Sequence, residues 1–404
     1  GEESSLNFTL VTNSNRILAT QNLYFTEASQ TTDSEGNTTL VMRLNTNIDD
    51  CYLDFVYTLP ADDYMVGMSI QPRNMQLALA QNMSSVEMQW NQSIPQQEKG
   101  RKFEEKYAQL QYMFIGGEIE KLSEMKSDRA NESARLKWIA YKDQFFSTVM
   151  IAEDAFESTT MESTPLNQHS RYIKEYKTNT TLPLDITGQK ATNLKYYFGP
   201  NHYNTLKAYD KDVDKADRLH LNELVPLGWK IVAWINKVLV IPMFDLFSSW
   251  GLHIGIVILL MTLVIKLIIL PFVFASYKSS AKMRVLKPQL DEINAKYPPE
   301  KMQERQQATM ALYQKAGVSP MSGCLPMLFQ FPVLMAMFWF LPTAIELRGQ
   351  SLFWADDLST YDAIITWKTH IPIFGTHLSL FCLLMTVVNI VYTHITMQQQ
   401  AGGQ

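Results

Sequence analysis

The sequence predicts a membrane protein in two parts: an all-β domain, then an α-helical transmembrane core that carries a cytoplasmic helical hairpin. Three observations predict it. Residues 6–198 hold many short runs rich in Val, Thr, Tyr and Phe, separated by turn-forming stretches. Three later segments, 252–275, 321–341 and 376–397, are long and apolar. Between the first two lies a charged stretch, 276–319, with apolar residues at helical intervals.

Residues 1–198 read as a two-sheet sandwich. "NFTLVT", "TTLVMRLNT", "CYLDFVYTL", "YMVGMSIQP", "MQLALAQN", "SVEMQWNQS" and "YAQLQYMFI" are strand-like, and several alternate. "DSEGN", "NIDD", "PADD" and "IGGE" supply the turns, and "RLKWIAYKDQFFSTVMIAE" and "SRYIKEYKTNTTLPLDI" continue the pattern. At 199–226 the period changes: Leu206, Tyr209, Val213 and Leu219 recur at helical spacing, which predicts a helical spacer.

Residues 227–250 follow as an amphipathic segment. Its apolar run includes Trp229 and Trp234, with Lys230, Asn236 and Lys237 read as a polar side and Pro242 as its break. This predicts an interfacial helix with its tryptophans at headgroup depth. The segments 252–275, 321–341 and 376–397 read as membrane spans, with Pro326 and Pro332 kinking the second. Residues 342–375 join the second and third spans, and 398–404 form a short cytoplasmic end.

Charge sets the orientation. The chain carries 35 Lys+Arg against 40 Asp+Glu, net −5. Residues 1–229 hold 22 basic and 31 acidic residues, whereas 230–404 sum to +4. No basic stripe marks the acidic part, which argues against nucleic acid as a partner. Residues 276–319 hold eight Lys/Arg and 343–375 only two, so the first loop is cytoplasmic and the second external. The β domain then lies outside, in the periplasm of a cell with two membranes. Within 276–319, Met283, Leu286, Leu290, Ile293 and Tyr297 precede Pro298-Pro299, and Met302, Thr309, Met310 and Tyr313 follow it. The reading is a helical hairpin whose outer face presents Lys282, Arg284, Lys287, Lys301 and Arg305.

Lys266 is the residue that does not belong in its surroundings. It sits inside the first span, where a lysine costs about 2.5–3.5 kcal/mol on insertion scales. It lies nine residues before Ala275, roughly 14 Å from the helix end, too deep to snorkel. No Asp or Glu occurs in any of the three spans. The charge therefore calls for a protein interior or a wet cavity, and Thr262, one turn earlier, and Gln330, midway along the second span, are the candidate co-lining groups.

Several stretches carry a family resemblance: "YYFGP", "LGW", "SWG", "KMRVLKPQLDEI", "MALYQKAGVSPMSGCLPMLFQFPVLMAMFWFL" and "IELRGQSLFWADDLS". Together they resemble the bacterial YidC family of membrane protein insertases, closely over 195–397. The resemblance implies a periplasmic β-supersandwich, an interfacial helix and a five-helix core in the inner membrane. It also implies an anchor helix and two core helices beyond those in this sequence. The core would hold a hydrophilic groove open to the cytoplasm and to lipid. In the family a positive residue, usually arginine, sits in that groove, and here the position is Lys266. Thr262 and Gln330 match other groove positions.

The function so implied is insertion of nascent membrane proteins into the lipid bilayer, with the Sec translocon and the ribosome as further partners. Met321, Met327, Met335 and Met337 suit varied clients, because methionine adapts its shape. No metal or other cofactor is expected, since no CxxC, HxxxH or GxxxxGK[ST] occurs among these residues. Nor is an enzyme expected: HExxH and GxSxG are absent, and His169, His202 and His220 read as surface or packing histidines. The alternative is a channel or transporter with Lys266 as an intramembrane binding site, although no internal repeat supports it.

Overall fold

The computed structural model describes residues 3–297, 301–317, 325–371 and 375–401. The chain divides into two compact units, Gly1–Val225 and Pro226–Gln404.

The first unit is an antiparallel β structure. Its strands are β1 (Ser4–Val11), β2 (Ile17–Ala19), β3 (Thr26–Thr32), β4 (Thr38–Asn45), β5 (Tyr52–Leu59), β6 (Met65–Arg73) and β7 (Ser85–Pro95). After the short helix α1 (Arg101–Tyr107) come β8 (Gln109–Phe114), β9 (Ile119–Lys121), β10 (Asp128–Glu132) and β11 (Leu136–Lys142). The last three are β12 (Phe146–Pro165), β13 (Tyr172–Pro183) and β14 (Thr192–Pro200). Hydrogen bonding connects them in the order β2-β1-β7-β13-β12-β14-β6-β5-β4-β3, with β8 to β11 branching off.

One strand serves two sheets. The first half of β12 pairs with β11 and β14, and its second half pairs with β10 and β13. The change of partner coincides with a register shift between Glu157 and Thr160, and Ser158 there has φ of 48°. A bulge turns the strand out of one sheet and into the next.

The two sheets enclose one core. Trp90 of β7 stacks on Tyr141 of β11 with ring centroids 3.7 Å apart. The Tyr141 hydroxyl meets the Trp90 carbonyl oxygen at 2.8 Å and Thr178 Oγ1 at 2.7 Å, so its burial costs no hydrogen bond. β7 alternates as a half-buried strand should, whereas β11 is almost wholly buried. Trp138 shows why: it points away from the main core, and its Nε1 donates to the Leu219 carbonyl at 2.7 Å.

That contact corrects the reading of 199–226. Helix α2 (Tyr203–Ala208) and a 3-10 turn at Leu221–Leu224 bracket a stretch of turns. Tyr203, Leu206, Leu221 and Leu224 are buried in the first unit, so the segment is a cover on that unit and not a spacer. Beyond the helix, Asp210 accepts the backbone N–H groups of Leu219 and His220, at 2.6 and 2.8 Å, and so holds the turns. Two smaller differences concern β-like runs. "MQLALAQN" is no strand: Asn74 has φ of 51° and Met75–Leu77 is a 3-10 turn. And α1 interrupts what reads as continuous β sequence.

Helix α1 is held by charge. The Arg101 guanidinium bonds Glu105 and the carbonyls of Leu166, Asn167, Ser170 and Tyr172, fixing the β12–β13 turn. Lys142 and Lys174, both buried, donate to the Tyr107 and Ala108 carbonyls where α1 ends. Cations belong there, at the negative end of a helix. Glu104 is fully buried and accepts the N–H groups of Gln97 and Glu98 at 2.8 and 3.1 Å. Cys51 is a small core residue, with Sγ 3.3 Å from the Asn74 carbonyl oxygen.

The second unit is mainly helical. Helix α3 (Lys230–Ile235), a π turn at Asn236–Val240 and α4 (Ile241–Ser248) form one continuous helical stretch. Pro242 therefore does not break it. The preceding π turn opens the backbone where the proline ring would meet the carbonyl four residues back. Helix α5 (Ile254–Val285) follows, then α6 (Lys287–Lys296), α7 (Met302–Lys315), α8 (Leu325–Phe340) and α9 (Leu380–Ala401). Strands β15 (Ile365–Ile371) and β16 (Gly375–Leu378) pair just before α9. Sequence places the start of that apolar segment at Thr376, but cross-strand bonding holds 375–378 extended, and the helix starts at Leu380.

Asp362 fixes that start. Its carboxylate accepts from Ser379 Oγ, from the Phe381 N–H at 2.9 Å and from Trp354 Nε1 at 2.9 Å. Ser379 Oγ in turn accepts the Cys382 N–H at 3.1 Å, so two free donors of the first turn are satisfied.

Two predictions follow from these buried groups. Burial, reinforced by the charge of Asp143, pushes the Glu104 carboxyl up to about 7 from 4.5. Burial likewise raises Asp143 to about 6 from 3.8. An acid raised on folding stabilises the fold below its unfolded pKa and loses that stability as pH rises through the folded value. Lys142 and Lys174, lowered by burial to about 8, add slope only above that pH. The melting temperature of the first unit should fall between about pH 4.5 and pH 7, and Glu104→Gln should flatten that fall; an unchanged slope would refute the assignment. Asp362→Ala should cost about 0.5–2 kcal/mol locally and speed amide exchange at Phe381 and Cys382, leaving the first unit's exchange unaltered.

Candidate functional site

The site predicted from sequence centres on α5 and α8. These two helices run antiparallel: Phe272, late in α5, stacks on Phe329, early in α8, with centroids 4.3 Å apart. At the opposite end, Leu352, beyond α8, packs on Gly255 at the start of α5. A Cβ on Gly255 would lie 2.5 Å from Leu352 Cδ1, so a larger residue there would have to displace the Leu352 side chain. Phe244 of α4 meets Phe340 of α8 edge to face at 5.2 Å. Gly228, with φ of 88°, lets Trp339 come within 3.0 Å of where a Cβ would stand.

Packing is dense at that end and sparse at the other. Val257, Met261, Ala336, Phe340, Ala344 and Leu347 are all buried. Beyond Met261, the buried residues of α5 are only Ile269 and Ser276, among the described residues. Lys266 stands where the packing gives out.

Lys266 is exposed and makes no hydrogen bond or ion pair among the described residues. Thr262 is also exposed, and its hydroxyl donates to the Ile258 carbonyl at 2.9 Å within the helix. Gln330 is half-buried. Helix geometry relates the three. At about 100° per residue, Lys266 and Thr262 fall to one side of the packed face of α5, and Gln330 falls about a quarter turn off the packed face of α8. Because the helices are antiparallel, both rotations lead to the same side of the pair. The heights differ. Counting from the Phe272–Phe329 stack at about 1.5 Å per residue, Gln330 lies about 8 Å nearer that stack than Lys266 does. The residue of α8 at the level of Lys266 and Thr262 on that side is Met337.

Of the proposed client-facing methionines, Met335 and Met337 are half-buried. Met321 lies outside the described residues, as does the side chain of Met327. The exposed apolar stripe of α8 is instead Leu328, Phe331, Leu334 and Phe338, at helical spacing. Sequence reasoning missed it because an all-apolar segment offers no polar face to mark which side is free.

The charged hairpin forms as α6 and α7. Leu290, Ile293, Leu312 and Tyr313 are half-buried, while Met302 and Met310 are exposed. Lys282 is exposed, Lys287 and Arg305 are half-buried, and Lys301 pairs with Glu304 at 3.4 Å. The side chain of Arg284 and the Pro298-Pro299 step lie outside the described residues.

In the stretch Lys230–Ser248, Ile231, Trp234 and Val238 form an exposed apolar face, 63%, 63% and 56% accessible, preceded by exposed Trp229. Asn236 does not join a polar face: it is buried, and its Nδ2 donates to the Leu227 carbonyl at 3.0 Å. Among the described residues, two helices are long and apolar enough to cross a bilayer, Lys230–Ser248 and Ile254–Ser279, and Leu328–Thr343 and Leu380–Ile395 are shorter apolar stretches. No group of three or more metal-ligating side chains occurs among the described residues. The three histidines lie on separate features: His169 in the β12–β13 turn, His202 bonded to Thr205 Oγ1 at 2.8 Å, and His220 in the cover segment.

Comparison with known proteins also divides the chain in two, with the boundary falling later, within α4. The family model described as "YidC periplasmic domain" matches residues 2–242, and "60Kd inner membrane protein" matches 245–404. A membrane protein insertase YidC of Parabacteroides distasonis is 51% identical over the whole chain, and one of Bacteroides fragilis is 50% identical. A further one from Porphyromonas gingivalis is 43% identical. The chain spans 64% of the length of each of these relatives. A β unit and a helical unit, each matched by its own model of one family, leave a single assignment: the chain belongs to the YidC family.

Proposed function

We propose that this chain is the greater part of a membrane protein insertase of the bacterial inner membrane, with its β unit in the periplasm. Helices α5, α8 and α9 cross the bilayer, and the stretch from Trp229 to Ser248 lies at the interface with Trp229 and Trp234 at headgroup depth. The exposure of those tryptophans supports this placement, and so do the names of the relatives. The 276–319 segment lies in the cytoplasm by its excess of positive charge.

The observation that carries the reading is Lys266: an exposed amine in an apolar helix, without a hydrogen bond or ion pair among the described residues, just where the α5–α8 packing opens. An amine so placed needs water, so the space beside it is a hydrophilic groove lined by Lys266, Thr262 and Gln330. A nascent segment approaches from the cytoplasm along Lys282, Arg284, Lys287, Lys301 and Arg305. Its polar or acidic flank enters the groove and is drawn to Lys266, which shortens the hydrocarbon barrier. Its apolar part moves along Leu328, Leu334 and Phe338, with Met321, Met327, Met335 and Met337 adapting to its shape. Burial of that apolar part in lipid supplies the driving force at about 25 cal/mol per Å², so no nucleotide hydrolysis is required. The ribosome and the Sec translocon are the natural sources of such segments.

The experiment is reconstitution of the full-length protein in liposomes with a client bearing an acidic tail. Lys266→Arg should insert it normally, and Lys266→Ala should slow it about fivefold or more, a loss of about 1 kcal/mol, while a client without polar flanks is unaffected. If Ala inserts the acidic client as well as Lys does, the groove-charge mechanism is wrong. Ion flux that depends on Lys266 would favour a channel instead.

A further inference from the structure

The cover segment of the first unit holds a cavity of about 460 Å³ that the insertion mechanism does not use. Lys207, Lys211, Arg218 and His220 stand on its wall, with Asp210 and Asp212. The three permanent cations make no ion pair among the described residues. Lys207 has its amine 5.9 Å from the Tyr203 ring centroid. Arg218 uses only Nε, donating to the Val213 carbonyl at 3.2 Å, and keeps its terminal N–H groups available.

The acids are not equivalent competitors. Asp210 aims one oxygen at the Leu219 N–H and the other at the His220 N–H. Asp212 is the one carboxylate of the cavity with no such partner. Asp210 also sets His220: its bond to the His220 N–H helps hold that residue at φ 50°, in the left-handed region that is uncommon outside glycine. A second left-handed residue, Asp212 at φ 59°, closes the same loop. Among the described residues, three cations without an ion pair thus stand around one cavity, with Asp212 as the carboxylate that competes for them.

We propose that this cavity binds a phosphate group, either the headgroup of an anionic phospholipid or a free phosphate. Arg218 supplies the forked donor and Lys207 and Lys211 the point charges. Asn222, which lines the cavity, is seven residues before Trp229, at most about 25 Å of extended chain. A lipid source rests on the interfacial placement proposed above; phosphate recognition does not.

The full-length protein in a neutral detergent would be titrated calorimetrically with inorganic phosphate, short-chain phosphatidylglycerol and short-chain phosphatidylcholine. Phosphatidylglycerol alone binding identifies a lipid site, and phosphate binding as well identifies a general phosphate site; both support the proposal. Lys211→Glu with Arg218→Glu should weaken binding by about tenfold or more, and Asp212→Asn should strengthen it about threefold, since both effects are Coulombic. All three residues are exposed, so the variants should fold, which their melting curves would check. The proposal falls if neither phosphate nor phosphatidylglycerol gives saturable binding, if phosphatidylcholine binds equally, or if the charge-reversed variant binds unchanged.

Discussion

The β unit depends on one strand being a member of two sheets. β12 is 20 residues long, and neither of its halves is dispensable. Its first half closes β11 against β14, and its second half closes β10 against β13. Were it straight, the two sheets would continue as one surface and the apolar faces of β7 and β11 would not meet. The bulge at Ser158 turns it, and the Trp90–Tyr141 stack is what that turn makes possible. Everything on the far side of β11 follows, because a strand buried on both faces requires a cover. Residues 203–224 provide it.

A different constraint shapes the helical unit. Helices that meet along a whole length leave no room for a groove, and helices that do not meet have no stable arrangement. Here α5 and α8 combine both conditions: buried Val257, Met261, Ala336 and Phe340 mark one end, and among the described residues the other end shows the Phe272–Phe329 stack. Lys266 lies at the transition. A lysine there is unfavourable in hydrocarbon, by about 2.5–3.5 kcal/mol at a helix centre, and favourable against water. In the groove proposed above, a charge at that position faces water, whereas a dry seam would exclude it.

Polar groups elsewhere are placed by helix ends. Lys142 and Lys174 finish α1, Asp362 and Ser379 begin α9, and Asp210 turns the chain at His220. In the first two cases a side chain distant in sequence or in an adjoining loop takes up backbone groups that a helix cannot satisfy itself, and in the third it takes up those of a turn.

Much of this was legible in the sequence. Alternation along "SVEMQWNQS" and the β-branched content of "CYLDFVYTL" mark half-buried strands, because strand period and side-chain shape are local properties. The run around Lys266 marks a membrane-length helix with a charge in it for the same reason. What the sequence by itself could not determine is anything that turns on which surfaces meet. "DKDVDKADR" carries helical spacing but forms turns, since Asp210 finds the N–H groups of residues nine and ten positions later. Asn236 reads as a solvent-facing polar residue but is buried on the Leu227 carbonyl. Pro242 reads as a break but is absorbed by a π turn. The height of Gln330 relative to Lys266 depends on one aromatic stack between helices about sixty residues apart. Local pattern fixes what each segment is, because period and propensity act over a few residues; tertiary structure decides which polar group meets which partner, because that energy exists only once distant segments are in contact.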